Sequence, residues 1–201
     1  MQPIKILFSL VIFSFLSSCT LFEPSAPGTA TGVYNAELAK AKKPNNLSHW
    51  TINGRIAIIT PTQSQNASVY WRQQRSDYTM QFIAPLGTGA VRLSGSRNRV
   101  TLVNAQGKSF SAKSAENLLE QQLGWRIPVA NLFYWIRGIP APNIPANKQY
   151  DKNGDLASLR QQGWKISYLS YAKFGEYSLP TRIFLNYGKL KLRLIITRWQ
   201  L

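Results

Sequence analysis

Thr79-Met80-Gln81-Phe82-Ile83-Ala84-Pro85-Leu86-Gly87-Thr88-Gly89-Ala90-Val91-Arg92-Leu93-Ser94 consists of two alternating arms about a Pro-Leu-Gly break. Met80 and Phe82 share one face of the first arm, and Val91 and Leu93 share one face of the second. That period of two marks half-buried strands. Pro and Gly punctuate turns, so the stretch reads as an antiparallel hairpin. A hairpin tip normally carries polar residues, and this one carries leucine. Two readings are open: Leu86 folds back onto the core, or it is displayed to touch lipid or a partner.

The same alternation extends in both directions. Upstream, Trp50, Ile52, Gly54, Ile56 and Ile58 fall on one face of a strand, and Val69 and Trp71 on one face of the next. Tyr78 joins Met80 and Phe82. Downstream, Asn104-Ala105-Gln106-Gly107 separates two short strands, a hairpin signal. Residues 156–161 and 163–170 form two more, the latter with Trp164, Ile166 and Tyr168 on one face. A closing hairpin turns at Tyr187-Gly188. In its last strand Leu190, Leu192, Leu194 and Ile196 point in, and Ile195 alone interrupts the polar outer side.

Two helices interrupt the strands. Ser114 is a plausible N-cap for the first, with Glu116 in its first turn, Leu118, Leu119 and Leu123 along it, and Gly124 as its stop. The second runs from Val129 to Arg137 after Pro128 and includes Leu132, Phe133 and Ile136. It is apolar on nearly every side, which requires burial on more than one face or coverage of an apolar opening. A shorter helix is expected over 33–43, ended by Pro44, with its basic residues in the last turn. Residues 141–147 form a Pro-rich loop.

This amounts to roughly nine to eleven short strands, more than the usual five or six of a sheet. Many antiparallel strands curl to protect their edges. The expected fold is mainly β with α: a curved antiparallel incomplete β-barrel with a helical lid enclosing a hydrophobic cavity. Three segments are expected, with 1–18 a signal peptide, 19–47 a tether with a short helix, and 48–201 one domain.

The chain has 201 residues, with 24 Lys and Arg against 8 Asp and Glu, a net charge of +16. Such a balance suits nucleic acid, an anionic membrane surface or an acidic protein, and the N-terminus chooses among them. Residues 6–16 form an apolar run behind one lysine, long enough for a signal peptide and short of the about 20 residues of a membrane span. Leu16-Ser17-Ser18-Cys19 follows, and Cys19 is the chain's one cysteine. The pattern resembles a bacterial lipobox, which implies cleavage before Cys19 and its acylation. Cleavage removes one lysine and no acid. Thr20 stands where Asp commonly signals inner-membrane retention in enterobacterial lipoproteins, so export to the outer membrane is expected. A lipid-anchored exported protein does not meet nucleic acid.

Enzyme chemistry needs polar groups that converge, and few are present. His49 is the one histidine, with no second His or free Cys for a metal site or a Cys–His pair. Glu116 and Glu120 lie four apart on one helix face, the spacing of a solvated face more than of a cation clamp. Asp151-Lys152-Asn153-Gly154-Asp155 distantly resembles a calcium loop, with Lys at the second place and no distal Glu. Gly87-Thr88-Gly89 precedes a strand rather than a helix and is no phosphate loop. Neither catalysis, a cofactor nor a metal is expected.

Trp50-Thr51-Ile52-Asn53-Gly54-Arg55-Ile56-Ala57, Pro85-Leu86-Gly87, Gln122-Leu123-Gly124-Trp125-Arg126-Ile127-Pro128, Trp135-Ile136-Arg137-Gly138-Ile139-Pro140-Ala141-Pro142 and the terminal run from Leu194 to Trp199 together resemble the LolB family of outer-membrane lipoprotein receptors. The resemblance covers about residues 48–201 and the lipobox. It implies a half-open barrel with a helical lid and a hydrophobic cavity. It also implies receipt of acylated lipoproteins from the periplasmic carrier LolA and their insertion into the inner leaflet of the outer membrane without ATP. The family's functional leucine matches Leu86, with Pro85 and Gly87 beside it, which favours the displayed reading. Candidate cavity and lid residues are Ile52, Ile56, Trp71, Met80, Phe82, Leu93, Leu118, Leu132, Phe133, Ile136, Ile166, Leu192 and Leu194. The expected partners are LolA, acylated cargo and outer-membrane lipids, with the protein a monomer facing the periplasm. A lipocalin-like lipid sensor or carrier is the rival reading, ahead of a structural envelope lipoprotein and an anchored hydrolase.

Overall fold

The computed structural model describes residues 41–96 and 99–201. Its strands are β1 (His49–Ile59), β2 (Ser64–Gln74), β3 (Asp77–Ile83), β4 (Ala90–Gly95), β5 (Val100–Val103), β6 (Ser109–Ala112), β7 (Asn147–Tyr150), β8 (Leu156–Gln161), β9 (Trp164–Phe174), β10 (Tyr177–Tyr187) and β11 (Leu190–Gln200). Two helices, α1 (Ala115–Leu123) and α2 (Val129–Trp135), lie between β6 and β7, and a single 3-10 turn spans Pro85–Gly87.

All eleven strands belong to one sheet, in the order β6-β5-β4-β3-β2-β1-β11-β10-β9-β8-β7. Two meanders are joined where the first strand pairs with the last, Ile56 opposite Leu194 and Ile58 opposite Leu192. The edges β6 and β7 do not pair, so the barrel is incomplete, as the strand count predicts. The helices cross from one open edge to the other.

Register aligns the apolar positions into rows. Phe110, Leu102, Leu93, Met80, Trp71, Ile52 and Trp199 stand opposite one another across seven strands. A one-residue slip would turn each of these outward, so burial of the row enforces the register. Curvature comes from irregularities at Asn53/Gly54 in β1 and around Pro180 to Ile183 in β10. At Gly54 an added Cβ would stand 2.2 Å from the Ile195 carbonyl oxygen, so only glycine allows β1 and β11 this close. Bulges of this kind bend a sheet locally.

The helix ends follow their residues. Ser114 caps α1 by accepting from the Asn117 N–H at 3.2 Å. Gly124 ends it in the left-handed conformation, at φ 72°.

Three segments differ from expectation. Of the helix expected over 33–43, only 41–43 are described, and there Lys42 forms a parallel bridge with Tyr177. The Lys42 N–H donates to the Glu176 carbonyl at 2.7 Å, a sheet partner that outbids helical propensity. The Pro-rich loop runs into β7, whose Asn-Lys-Gln-Tyr sequence has no apolar alternation because all four residues are exposed at the sheet edge. Strands β9 and β10 run longer than their sequence pattern, since the bulge near Pro180 changes which residues face inward. Cys19 and the signal segment lie outside the described residues.

Candidate functional site

The concave face is apolar, and the lid seats on it. Ile52 and Ile56 from β1, Trp71 from β2, Met80 and Phe82 from β3, and Leu192 and Leu194 from β11 meet Leu132 and Ile136 of the lid around a cavity of about 40 Å³. Val69 and Leu185 complete its wall, and no polar side chain among the described residues lines it. These first nine were candidates on sequence. The other four candidates lie apart from it. Leu93, Leu118 and Ile166 are buried in the surrounding core. Phe133 stacks on Trp50 with ring centroids 6.1 Å apart. A volume of 40 Å³ holds little more than a water, whereas ligand pockets enclose roughly 300–1,000 Å³. In this structure the cavity is therefore too small for a ligand of that class.

A second apolar space of about 190 Å³ adjoins the first through Ile56 and Phe82. Its walls are the end of α1, through Leu123 and Trp125, and the base of the β3–β4 connection, through Ala84, Gly89 and Ala90. It forms a mouth between helix and sheet. The Trp50 and Trp125 indole N–H groups are both buried without a hydrogen-bond partner among the described residues. The first lies beside Trp71 of the cavity wall, the second in the mouth.

The Pro-Leu-Gly tip rises from that mouth. The Leu86 side chain is 100% exposed. Its φ of 58° is left-handed, a conformation that non-glycine residues seldom hold. The loop supports itself: the Ala84 N–H donates to the Gly89 carbonyl at 2.9 Å and the Gly87 N–H to the Ala84 carbonyl at 3.1 Å. The Thr88 hydroxyl donates to the Pro85 carbonyl at 3.1 Å. Turn chemistry thus holds the leucine away from the core, and the folded-back reading does not describe this tip.

Two residues that the sequence did not single out hold the lid. Arg137, just past α2, is 2% exposed and without a carboxylate partner among the described residues. Its guanidinium donates to the Phe133 carbonyl at 2.9 Å and to the Pro44 and Leu47 carbonyls at 3.1 and 2.5 Å, and it lies 4.1 Å from the Phe133 ring. Burial lowers its pKa to about 10. Gln161 of β8 accepts from Trp135 Nε1 at 2.7 Å and from the Ala141 N–H at 2.9 Å. Its amide donates to the Ala141 and Ile144 carbonyls at 2.9 and 3.0 Å. An isolated Gln or Arg has no apolar periodicity to flag it; only the partners reveal its part.

The remaining polar candidates resolve into structural contacts. His49 Nδ1 lies 3.1 Å from the exposed Ser48 hydroxyl. Glu120 pairs with Arg126 at 3.0 Å. In the Asp151–Asp155 turn, Asp151 accepts from the Asn153 and Asp155 N–H groups, both at 2.9 Å. The buried Asp155 carboxylate pairs with Lys43 at 2.6 Å and accepts from the Ser178 hydroxyl at 2.8 Å. That turn therefore ties segment 41–47 to the sheet. No group of three or more metal-binding side chains occurs among the described residues, and no helix among them is long and apolar enough to cross a membrane.

Comparison with known proteins agrees with this architecture. Residues 48–199 match the family described as Outer membrane lipoprotein LolB. The outer-membrane lipoprotein LolB of Pseudomonas fluorescens strain Pf-5 is 38% identical over 194 residues, covering 94% of each chain. That of Pseudomonas syringae pv. syringae is 40% identical over 156 residues, 78% of this chain and 76% of the relative. Among solved structures, a LolA superfamily protein from Nitrosomonas europaea superposes with a TM-score of 0.53 at 10% identity, over 84% of this chain and 93% of that one. A DUF1329 family protein from Desulfovibrio piger does so with a TM-score of 0.53 at 6% identity. These two show the fold alone.

Proposed function

The chain belongs to the LolB family of outer-membrane lipoproteins, and from that premise we propose that it receives acylated lipoproteins from the periplasmic carrier LolA and inserts them into the inner leaflet of the outer membrane without ATP. The observation that carries the proposal is the apolar cavity under the lid, adjoined by a second apolar space at the foot of an exposed leucine. Cys19 is the acylated anchor, and the task is reception and release rather than catalysis.

Magnitudes support a division of labour. Each buried methylene of an acyl chain contributes about 0.8 kcal/mol, so a triacylated cargo carries on the order of 30 kcal/mol. Only an enclosed cavity matches that. Burying one leucine is worth about 1.5–3 kcal/mol. Leu86 therefore cannot hold cargo, and its contribution is to engage the bilayer and lower the barrier to release. Cargo entry requires the lid to move, because Leu132 and Ile136 close the cavity in this state. Transfer without fuel then runs down a series of affinities from carrier to receptor to membrane. Net positive charge suits an acidic carrier mouth.

The test mixes a purified, non-acylated form of the protein with LolA carrying an acylated lipoprotein. The lipoprotein is expected to co-elute with the receptor. If it stays on LolA, the proposal fails and the lipocalin-like sensor gains. A monomer in solution is expected, by light scattering.

A further inference from the structure

The convex face of the sheet carries a groove that the cavity does not explain. Arg55 of β1, Ile195 of β11 and Arg182 of β10 stand opposite one another in one cross-strand row. The next row on the same face is Ala57, Arg193 and Phe184. Three guanidinium groups thus surround one exposed isoleucine, within two strand spacings of about 4.8 Å each. These side chains line a groove of about 620 Å³, and Pro85 of the exposed loop forms part of its wall. Arg193 lies 5.0 Å from the Phe184 ring centroid. Among the described residues Glu176 pairs with Lys42, Asp155 with Lys43 and Glu120 with Arg126, and none of the three arginines is paired with a carboxylate there.

Like charges on neighbouring strands repel, and gathering three without an acid favours an anion between them. Arginine matches phosphate oxygens with its planar fork of donors. The walls add apolar surface from Phe184 and Ile195, and a smaller space running on from Arg55 exposes Ile83. Phosphate beside hydrocarbon is the chemistry of a phospholipid at the membrane interface. Pro85 connects the groove to Leu86, so a leucine dipping into the bilayer brings the groove to headgroup level.

We propose that Arg55, Arg182 and Arg193 form a binding site for the phosphate of an anionic membrane phospholipid, which orients the domain with its mouth toward the bilayer. The proposal rests on Leu86 acting at the membrane. The ligand is lipid rather than free phosphate because the groove is open, apolar-walled and continuous with the loop.

The experiment measures binding of the non-acylated protein to phosphatidylcholine vesicles with and without phosphatidylglycerol. Arg55→Gln/Arg182→Gln/Arg193→Gln is compared with Lys148→Gln/Lys152→Gln/Lys165→Gln, which removes the same charge from exposed positions outside the groove. Each cation near an anionic surface contributes about 1 kcal/mol, so the arginine variant, which loses three, is expected to lose about a hundredfold in affinity for phosphatidylglycerol vesicles. The lysine variant is expected to lose less, and inorganic phosphate is expected not to displace wild type from vesicles at matched ionic strength. Acceptance of lipoprotein from LolA is expected to survive in the arginine variant. Equal losses in the two variants, or wild-type vesicle binding by the arginine variant, would overturn the site. Retained vesicle binding with lost acceptance would reassign the groove to the carrier, and displacement by inorganic phosphate would reassign it to the free ion. If acceptance fails for wild type as well, the receptor reading fails while the vesicle comparison still decides the site. Circular dichroism checks folding, and Arg182→Gln alone serves if the triple variant unfolds.

Discussion

Trp135 on the lid and Gln161 on β8 are joined by a buried hydrogen bond of 2.7 Å from indole nitrogen to amide oxygen. Because Gln161 also bonds both backbone groups of Ala141, the lid helix and the chain leaving it hang on one side chain. Gln161→Leu leaves four groups without this partner, the Trp135 indole N–H, the Ala141 N–H and the Ala141 and Ile144 carbonyls. Each buried group left unpaired costs about 1–3 kcal/mol, so a loss of about 4 kcal/mol or more is expected. A fall in the urea midpoint at unchanged slope checks it.

Arg137, two residues past Trp135, couples the same end of the lid to segment 44–47. Arg137→Met keeps much of the side chain's bulk and its contact with Phe133 but takes the guanidinium from the Pro44 and Leu47 carbonyls, leaving Pro44 the Leu47 N–H at 3.3 Å. The expected result is faster hydrogen exchange at Lys42 and Ser178, whose backbone bonds tie the same segment to β10. Unchanged protection there would show that the segment is held independently of the lid.

Leu86 separates stability from function. A left-handed leucine costs about 1–2 kcal/mol, partly offset in a glycine variant by the freer unfolded chain. Leu86→Gly is expected to raise the thermal midpoint slightly while delivery to membranes falls. Leu86→Glu is expected to fold and accept cargo normally and to deliver poorly. Misfolding of Leu86→Glu would contradict full exposure of the side chain.

Gly54→Ala tests the junction of the two meanders. Its Cβ would meet the Ile195 carbonyl oxygen at 2.2 Å and the Ile196 Cα at 3.1 Å, backbone atoms that cannot rotate away. Overpacking of this kind costs typically about 1–3 kcal/mol. Differential scanning calorimetry is expected to show a lower midpoint, and an unchanged one would mean that β1 and β11 slide freely.

Alkaline pH is expected to destabilise the fold. Burial pushes the Tyr78 phenol up to about 12, and Tyr168 and Tyr171 are raised as well. A raised folded pKa means that the native state keeps protons which the unfolded chain has lost, so stability falls as pH rises from about 10. Arg137 has the opposite sign: lowered from 12.5 to about 10, it makes stability rise with pH in that interval. Three phenols against one guanidinium leave a net loss. Urea midpoints are expected to drop between pH 10 and 12, less steeply in Tyr78→Phe.

The strands and their inward faces were legible because alternation is local. Ile52, Trp71, Met80, Leu93 and Leu192 could be assigned to the buried side from spacing alone. Strand β7 was not legible, since an edge strand exposed on both faces has no alternation to read. Lys42 has the basic neighbours that suit a helix end, while its bridge partner Tyr177 lies far along the chain. Local spacing locates the leucine tip and the family resemblance implies its display, while the hydrogen bonds within the loop that hold it outward have no signature in the spacing.

Patterns along the sequence specify an antiparallel β protein with two helices, the first of them capped, an apolar lid and a resemblance to one lipoprotein family. The elements follow from residues within a few positions of one another, and the resemblance from the order of short motifs along residues 48–201. Only the tertiary structure decided that β1 pairs with β11, that Gln161 and Arg137 hold the lid, and that the cavity is closed to about 40 Å³. It also gathered Arg55, Arg182 and Arg193, from three strands, around Ile195. Those properties depend on contacts between distant residues and on the small gap between packed surfaces, and neither is written in local periodicity.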